Sequence, residues 1–147
     1  RRVLFRSGLD CRMDLGDTPC PCGRTDARRR PVSLAECCGR YLSGPAAIPA
    51  PDAERLMRSR YSAFVRGDVP YLLATWHPDH RPPALELDPT TKWLGLEVRR
   101  FAVLAHDEAE VEFVARSSRQ GRATRLHERS RFRFEDGRWF YVDGVFA

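Results

Sequence analysis

The strongest constraint in the sequence is a set of four cysteines in two tight pairs, Cys20-Pro21-Cys22-Gly23 and Cys37-Cys38-Gly39. Cysteines this close in sequence are poorly placed to bridge one another, whereas two short turns that converge can offer four thiolates to a tetrahedral zinc at about 2.3 Å. Pro21 stiffens the first turn, and Gly23 and Gly39 allow positive φ just after the sulfurs, so that backbone amides turn toward them. A disulfide scaffold or unconnected buried thiols are the alternative. The N-terminal apolar run, Val3-Leu4-Phe5, is far short of the roughly 7 to 15 residues of a secretory core, so a reducing cytoplasm is expected and zinc is favoured over disulfides. The short segment 18–42 holds few apolar residues, so metal binding is expected to supply most of its folding free energy. Four sulfur ligands leave no open position, which makes the expected Zn2+ structural rather than catalytic.

Around this knuckle the chain divides readily. Residues 1–17, which include Cys11, read as a tail outside the fold, and 43–51, with Pro45, Pro49 and Pro51, read as an extended linker. The remainder, 52–147, is long enough for one small domain. Asp52 is placed to cap a helix whose apolar positions Ala53, Leu56, Met57, Tyr61, Phe64 and Val65 follow the 3.6-residue period and which Gly67 ends. Asp68 opens a shorter helix, expected to run to Trp76 and to stop at Pro78. No apolar run approaches the roughly 18 residues of a membrane span.

From Trp93 the period changes to two. Leu94, Leu96, Val98, Ala102 and Leu104 share one parity, and Val111, Phe113 and Ala115 share another, with a turn between Ala105 and Ala109. Over Thr124 to Phe134, Leu126, Glu128, Ser130, Phe132 and Phe134 fall on one face, and Arg125, His127, Arg129, Arg131 and Arg133 on the other. Asp136-Gly137 signals a hairpin into a closing strand, Trp139 to Asp143. Helices followed by a run of antiparallel strands imply α+β architecture, a curved sheet wrapped on the helices.

These residues resemble known families. Cys20-Pro-Cys-Gly with Cys37-Cys-Gly resembles the SEC-C zinc motif. Leu56-Met-Arg-Ser-Arg-Tyr-Ser-Ala-Phe64, Thr75-Trp-His-Pro78, Trp93-Leu-Gly-Leu96, Glu128-Arg-Ser-Arg-Phe132 and Trp139 to Gly144 resemble the bacterial YchJ family. The resemblance implies an N-terminal zinc knuckle followed by a nuclear transport factor 2-like cone, and carries no biochemical activity with it. The stretch between the cysteine pairs, with Arg28-Arg29-Arg30-Pro31, is longer than in the usual motif.

A cone of this kind leaves a pocket between helix and sheet, and a fold alone does not establish catalysis. Arg58, Arg60, Tyr61, Trp76, Trp93, Glu128 and Tyr141 are the pocket candidates. Glu128, His77 and Asp143 are the candidate catalytic residues. Glu128 sits among apolar neighbours, where desolvation would suit a general base, but an ion pair with Arg58 or Arg60 is the favoured reading. His77 reads as a helix C-terminal cap rather than an acid or base, and a His77–His80 metal site lacks a third ligand. Asp143 either lines the pocket mouth or caps the turn at Gly144.

The formal charge of +5 decides little about partners, because only Lys92 among the 25 basic residues is a lysine and the arginine strand face lacks an aromatic stacking platform. Nucleic acid is therefore not expected. The absence of a Gly-x-Ser-x-Gly elbow, a phosphate loop or a dinucleotide fingerprint sets aside the hydrolase and nucleotide enzymes that need them. The expected role is a non-enzymatic binding or adaptor module, with a small-molecule ligand in the cone, a protein partner at the knuckle and a homodimer as candidate associations. The alternative is an isomerase or hydrolase that uses Glu128.

Overall fold

The computed structural model describes residues 17–147. The expected tail, apart from Asp17, lies outside the described residues, and Cys11 with it. A short 3-10 turn, Cys38–Arg40, leads through an extended segment to helix α1 (Ala53–Arg66) and helix α2 (Val69–Ala74). Four strands follow, β1 (Thr91–Ala105), β2 (Glu108–Arg119), β3 (Arg122–Glu135) and β4 (Arg138–Phe146). They form one antiparallel sheet in the order β1-β2-β3-β4.

The helix boundaries follow from their caps. The Asp52 carboxylate accepts the Arg55 amide at 2.7 Å, and Gly67 closes α1 in the left-handed region at φ 72°. Asp68 accepts from the Tyr71 amide at 3.2 Å to start α2, with Pro70 in the first turn where no amide donor is required. Hairpins at Gln120-Gly121 and Asp136-Gly137 have both central residues at positive φ, as type I′ turns require.

Three expectations are corrected. α2 ends at Ala74 rather than Trp76, because the chain then pairs in parallel with β4: Tyr141 N–H donates to Thr75 O at 2.8 Å and His77 N–H to Tyr141 O at 2.7 Å. The single parity expected for β1 is broken by register shifts at Trp93/Gly95, Val98/Arg100 and Val103/Ala105. Leu94 and Leu104 consequently face outward, while Trp93, Leu96, Val98 and Phe101 pack toward the core. Phe134 is largely exposed at the sheet end, edge-on to Trp139.

The knuckle and the cone share one buried cluster, which joins Cys20, Cys22, Leu34, Cys37, Cys38, Tyr41 and Leu42 to Ala53, Leu56, Leu72, Val111 and Phe132. α1 lies at its centre. The sheet covers Met57, Arg60 and Tyr61, and the helix also buries Ser59, Ser62 and Ala63. A helix covered on one side only would leave those small residues in water. The proline-containing segment 43–51 is tied down at several points: Ser43 donates from both N and Oγ to the Asp68 carboxylate, at 3.0 and 2.8 Å, Ile48 N–H reaches Arg40 O, and Ala50 is buried.

Candidate metal centre and cone pocket

The cysteine turns are built by backbone hydrogen bonds. Cys20 N–H donates to Val32 O, Gly23 N–H to Cys20 O, and Cys37 and Gly39 N–H both to Leu34 O. Gly23 adopts φ 77°, and a Cβ on Gly39 would press on the Leu34 carbonyl, so both glycines are required by geometry. The long stretch between the pairs folds back as a small hairpin, with bridges Pro19–Ser33 and Thr25–Pro31. Its tip is closed by Asp26, which accepts from the Arg28 and Arg30 amides.

All four sulfurs lie within 4.8 Å of one another and all four residues are buried. Cys22 Sγ is 3.6 Å from Cys37 Sγ, and Cys37 Sγ is 3.9 Å from Cys38 Sγ. Tetrahedral bonds of about 2.3 Å place ligand sulfurs roughly 3.8 Å apart, whereas a disulfide needs about 2.05 Å. The cysteines are unbridged, so the donor set fits a metal ion and is compatible with a zinc knuckle. Hydrogen bonding from Cys22, Cys37 and Cys38 holds the Cys20 thiol far below its ordinary range, while hydrogen bonding to Cys20 together with burial pushes Cys38 far above it. Arg58 reaches the cysteines from α1: its Nη1 donates to Cys22 O at 3.1 Å and lies 3.9 Å from Cys22 Sγ, while its Nε donates to Glu54 at 3.0 Å. Ser62 Oγ approaches Cys20 Sγ at 3.5 Å.

On the other flank of α1 a cavity of about 160 Å3 opens between helix and sheet. Six sequence candidates line it: Arg60, Tyr61, Trp76, Trp93, Glu128 and Tyr141. Met57, Phe64, Phe113, Ala115, Leu126 and Ser130 complete the wall. Leu126 and Ser130 share the parity of Glu128, and that signal could have found them. Trp93 stands edge-on to Tyr61, and Phe64 tilts against it.

Arg60 is 3% exposed. Its Nη1 donates to Leu72 O at 2.8 Å and Thr75 Oγ1 at 2.7 Å, and its guanidinium lies over the rings of Tyr141 and Trp76, 4.5 and 5.4 Å from their centroids. Burial pulls its pKa down to about 10 and pushes that of Tyr141 up to about 12. Glu128 Oε2 accepts from Ser130 Oγ at 2.7 Å. A Cβ on Gly144 would collide with the Glu128 side chain, which would have to move from its present position. Trp76 Nε1 is the one fully enclosed side-chain nitrogen or oxygen without a hydrogen-bond partner among the described residues; the free guanidinium nitrogens of Arg60 are not sealed off in this way.

Several candidates take other positions. Among the described residues neither Arg58 nor Arg60 forms the expected ion pair with Glu128. Arg58 points to the cysteines, and Arg60 is satisfied by neutral acceptors and rings. His77 is no helix cap: it is buried beyond α2, with Nε2 bonded to Glu135 and Nδ1 accepting from the Asp79 amide, so neither ring nitrogen is available to a metal shared with His80. Asp143 neither lines the pocket nor caps the Gly144 turn. Phe132 pairs with Tyr141 and Arg131 with Asp143, so the bulge at Val142 turns Asp143 to the outer face, where Arg131 binds it through two 2.7 Å hydrogen bonds. That face also carries Arg99 and Arg116 on Glu97, Arg129 on Glu110 and His127 on Glu112.

Residues 52–144 match a family model described as the middle nuclear transport factor 2-like domain of YchJ. A UPF0225 protein of Polaromonas sp. (strain JS666 / ATCC BAA-500) is 62% identical over 126 residues, covering 85% of this chain and 91% of its own. One from Chromobacterium violaceum is 56% identical over 133 residues, 87% of this chain and 93% of its own. Among solved structures, a SEC-C motif containing protein from Rhodopseudomonas palustris superposes with TM-score 0.73 at 30% identity, over 88% of this chain and 99% of that one. Another, from Psychrobacter arcticus, gives TM-score 0.75 at 31% identity, over 92% and 86% respectively.

Proposed function

We propose a function from the premise that this chain belongs to the bacterial YchJ (UPF0225) family, a nuclear transport factor 2-like cone preceded by a SEC-C cysteine motif. The protein is a zinc-stabilised binding module of the bacterial cytoplasm that holds a small molecule in its cone. The observation that carries this reading is the cavity itself, walled mainly by aromatic and aliphatic side chains yet containing a buried arginine with no carboxylate in contact. Cys20, Cys22, Cys37 and Cys38 would hold zinc, which would supply rigidity and no open coordination position. Unbridged cysteines suit a reducing compartment, and no helix among the described residues is long and apolar enough to cross a membrane. The carboxylate pairing of Arg99, Arg129 and Arg131 on the outer face speaks against a nucleic-acid surface.

A second reading, an isomerase or hydrolase, is favoured by one observation: Glu128 stands in the cavity wall without an arginine in contact, free to take a proton from a ligand. Native mass spectrometry of the protein purified from a bacterial host tests the proposal. A zinc-loaded chain with a retained small molecule is expected. Zinc-loaded chains that retain only a protein would replace the pocket with an adaptor role at the knuckle or, if the partner is a second copy, with dimerisation.

A further inference from the structure

The cone pocket contains two opposite charges that do not meet. Arg60 uses only Nη1 within the protein, and its Nε and Nη2 have no partner among the described residues. Glu128 uses only Oε2, on the Ser130 hydroxyl. The two are close enough for the carboxylate to act on the guanidinium, yet they make no ion pair. Both line the same small cavity, alongside the Trp76 and Tyr141 rings.

This arrangement limits what can bind. An anion alone would satisfy Arg60 while sharing a small apolar space with the Glu128 carboxylate, and a cation alone would satisfy Glu128 against Arg60. Like charges are costly in such a poorly solvated space, and so is a buried polar group left unpaired. A head group with an acceptor and a donor and no net charge meets both demands at once, and the ring-lined remainder accepts an apolar body. Arg60 offers N–H donors to the acceptor, and Glu128 receives the donor.

We infer that the pocket takes a small aromatic or aliphatic molecule whose polar head has no net charge and presents an acceptor to Arg60 and a donor to Glu128, as an amide or an amino-acid zwitterion does. This deepens the proposed function and rests on it.

The test uses the full-length, zinc-loaded chain and five probes with one aromatic body: phenylacetamide, phenylalanine, phenylacetate, phenethylamine and toluene. The indole N–H resonances of Trp76 and Trp93, both in the cavity wall, report binding in isotope-labelled protein. Phenylacetamide, phenylalanine or both are expected to bind about tenfold more tightly than either singly charged probe, the scale of one charged group left unpaired. Which of the two binds better separates an amide from a zwitterion. In Glu128→Gln the pocket keeps its shape and gains net positive charge, so phenylacetate should rise to the top of the ranking and phenethylamine should weaken. Phenylacetate or phenethylamine ranking first in the unmodified protein, or a ranking unmoved in Glu128→Gln, overturns the inference. Toluene binding as well as every headed probe overturns it too, while leaving the pocket as a binding site. If none of the five binds, toluene included, both the inference and the proposed function fall.

Discussion

The two flanks of α1 handle buried polar groups in opposite ways. On the knuckle side the four sulfurs lie together, Arg58 and Ser62 approach them from α1, and the amides of Cys20, Gly23, Cys37 and Gly39 are hydrogen-bonded to backbone carbonyls. On the cone side Arg60 and Glu128 share a cavity without touching, and Trp76 leaves a donor unused. A polar cluster that satisfies itself, given its metal, is a structural device. Unsatisfied polar groups around an apolar hollow lower stability and gain their partners only when something binds.

The sharpest way to break this comparison is to remove the knuckle's contribution. The sparse apolar content of 18–42 suggests that the cone could fold alone, but Leu34, Tyr41 and Leu42 belong to the same buried cluster as Leu56 and Leu72. A chain starting at Ala50 is therefore expected to lose cooperative thermal melting. Cys22→Ser should release the metal in elemental analysis and cost on the order of 5 kcal/mol or more, a large part of what holds a small domain together. A truncated chain that melts cooperatively near the full-length midpoint would show two independent units instead.

Glu128→Gln probes the other flank and should be far gentler. With no arginine in contact, the substitution breaks no ion pair, although Arg60 loses the longer-range attraction of the carboxylate, and the Gln side chain keeps an acceptor for Ser130. The change in unfolding free energy by denaturant titration should stay within about 1 kcal/mol and can be favourable. A loss of about 3 to 5 kcal/mol would instead reveal a buried ion pair.

The smallest effect is expected on the outer sheet face. Arg131 beside Asp143 holds its carboxyl below the usual range. A carboxyl lowered in the folded state adds stability that is complete above its unfolded pKa and is lost as pH falls through the folded value below that. Both side chains are well exposed, 62% and 40%, so solvent screening limits the gain. Asp143→Asn should cost under about 1 kcal/mol at neutral pH, less in high salt, and nothing at a pH acidic enough to protonate the wild-type carboxyl. A cost that persists at that acidity would mean a role other than charge.

The same contrast marks what the sequence could disclose. Local chemistry was legible: Asp52 and Gly67 bound α1, Asp136-Gly137 turns the last hairpin, and the cysteine spacing places four sulfurs together. Six of the pocket residues followed from period and parity with the family resemblance. What failed depended on single inserted residues and on contacts distant in sequence. The bulges in β1 and at Val142 reverse parity, which misplaced Leu94, Leu104 and Asp143; Gly95 beside Leu94 was the one local signal, and the inserted residues Leu104 and Val142 have no glycine or proline next to them. Arg58 and Arg60 lie two apart on one helix and so diverge to opposite flanks, and no local pattern reveals that one meets sulfur and the other aromatic rings. His77 acquires its partner Glu135 only when the chain after α2 joins β4.

Enclosure of α1 on both flanks also shapes how the sequence can change by descent. Along the helix only Val65 and Arg66 are exposed. An ordinary surface helix can exchange half its residues at little cost, but here Ala53, Leu56, Met57 and the run from Ser59 to Ala63 are all buried. Heritable variation is thereby funnelled into the outer sheet face and the hairpin tips. A change that reshapes the pocket from within α1 falls on the same helix that carries Arg58 and Ser62 to the cysteines, so the two sites are expected to drift together rather than apart.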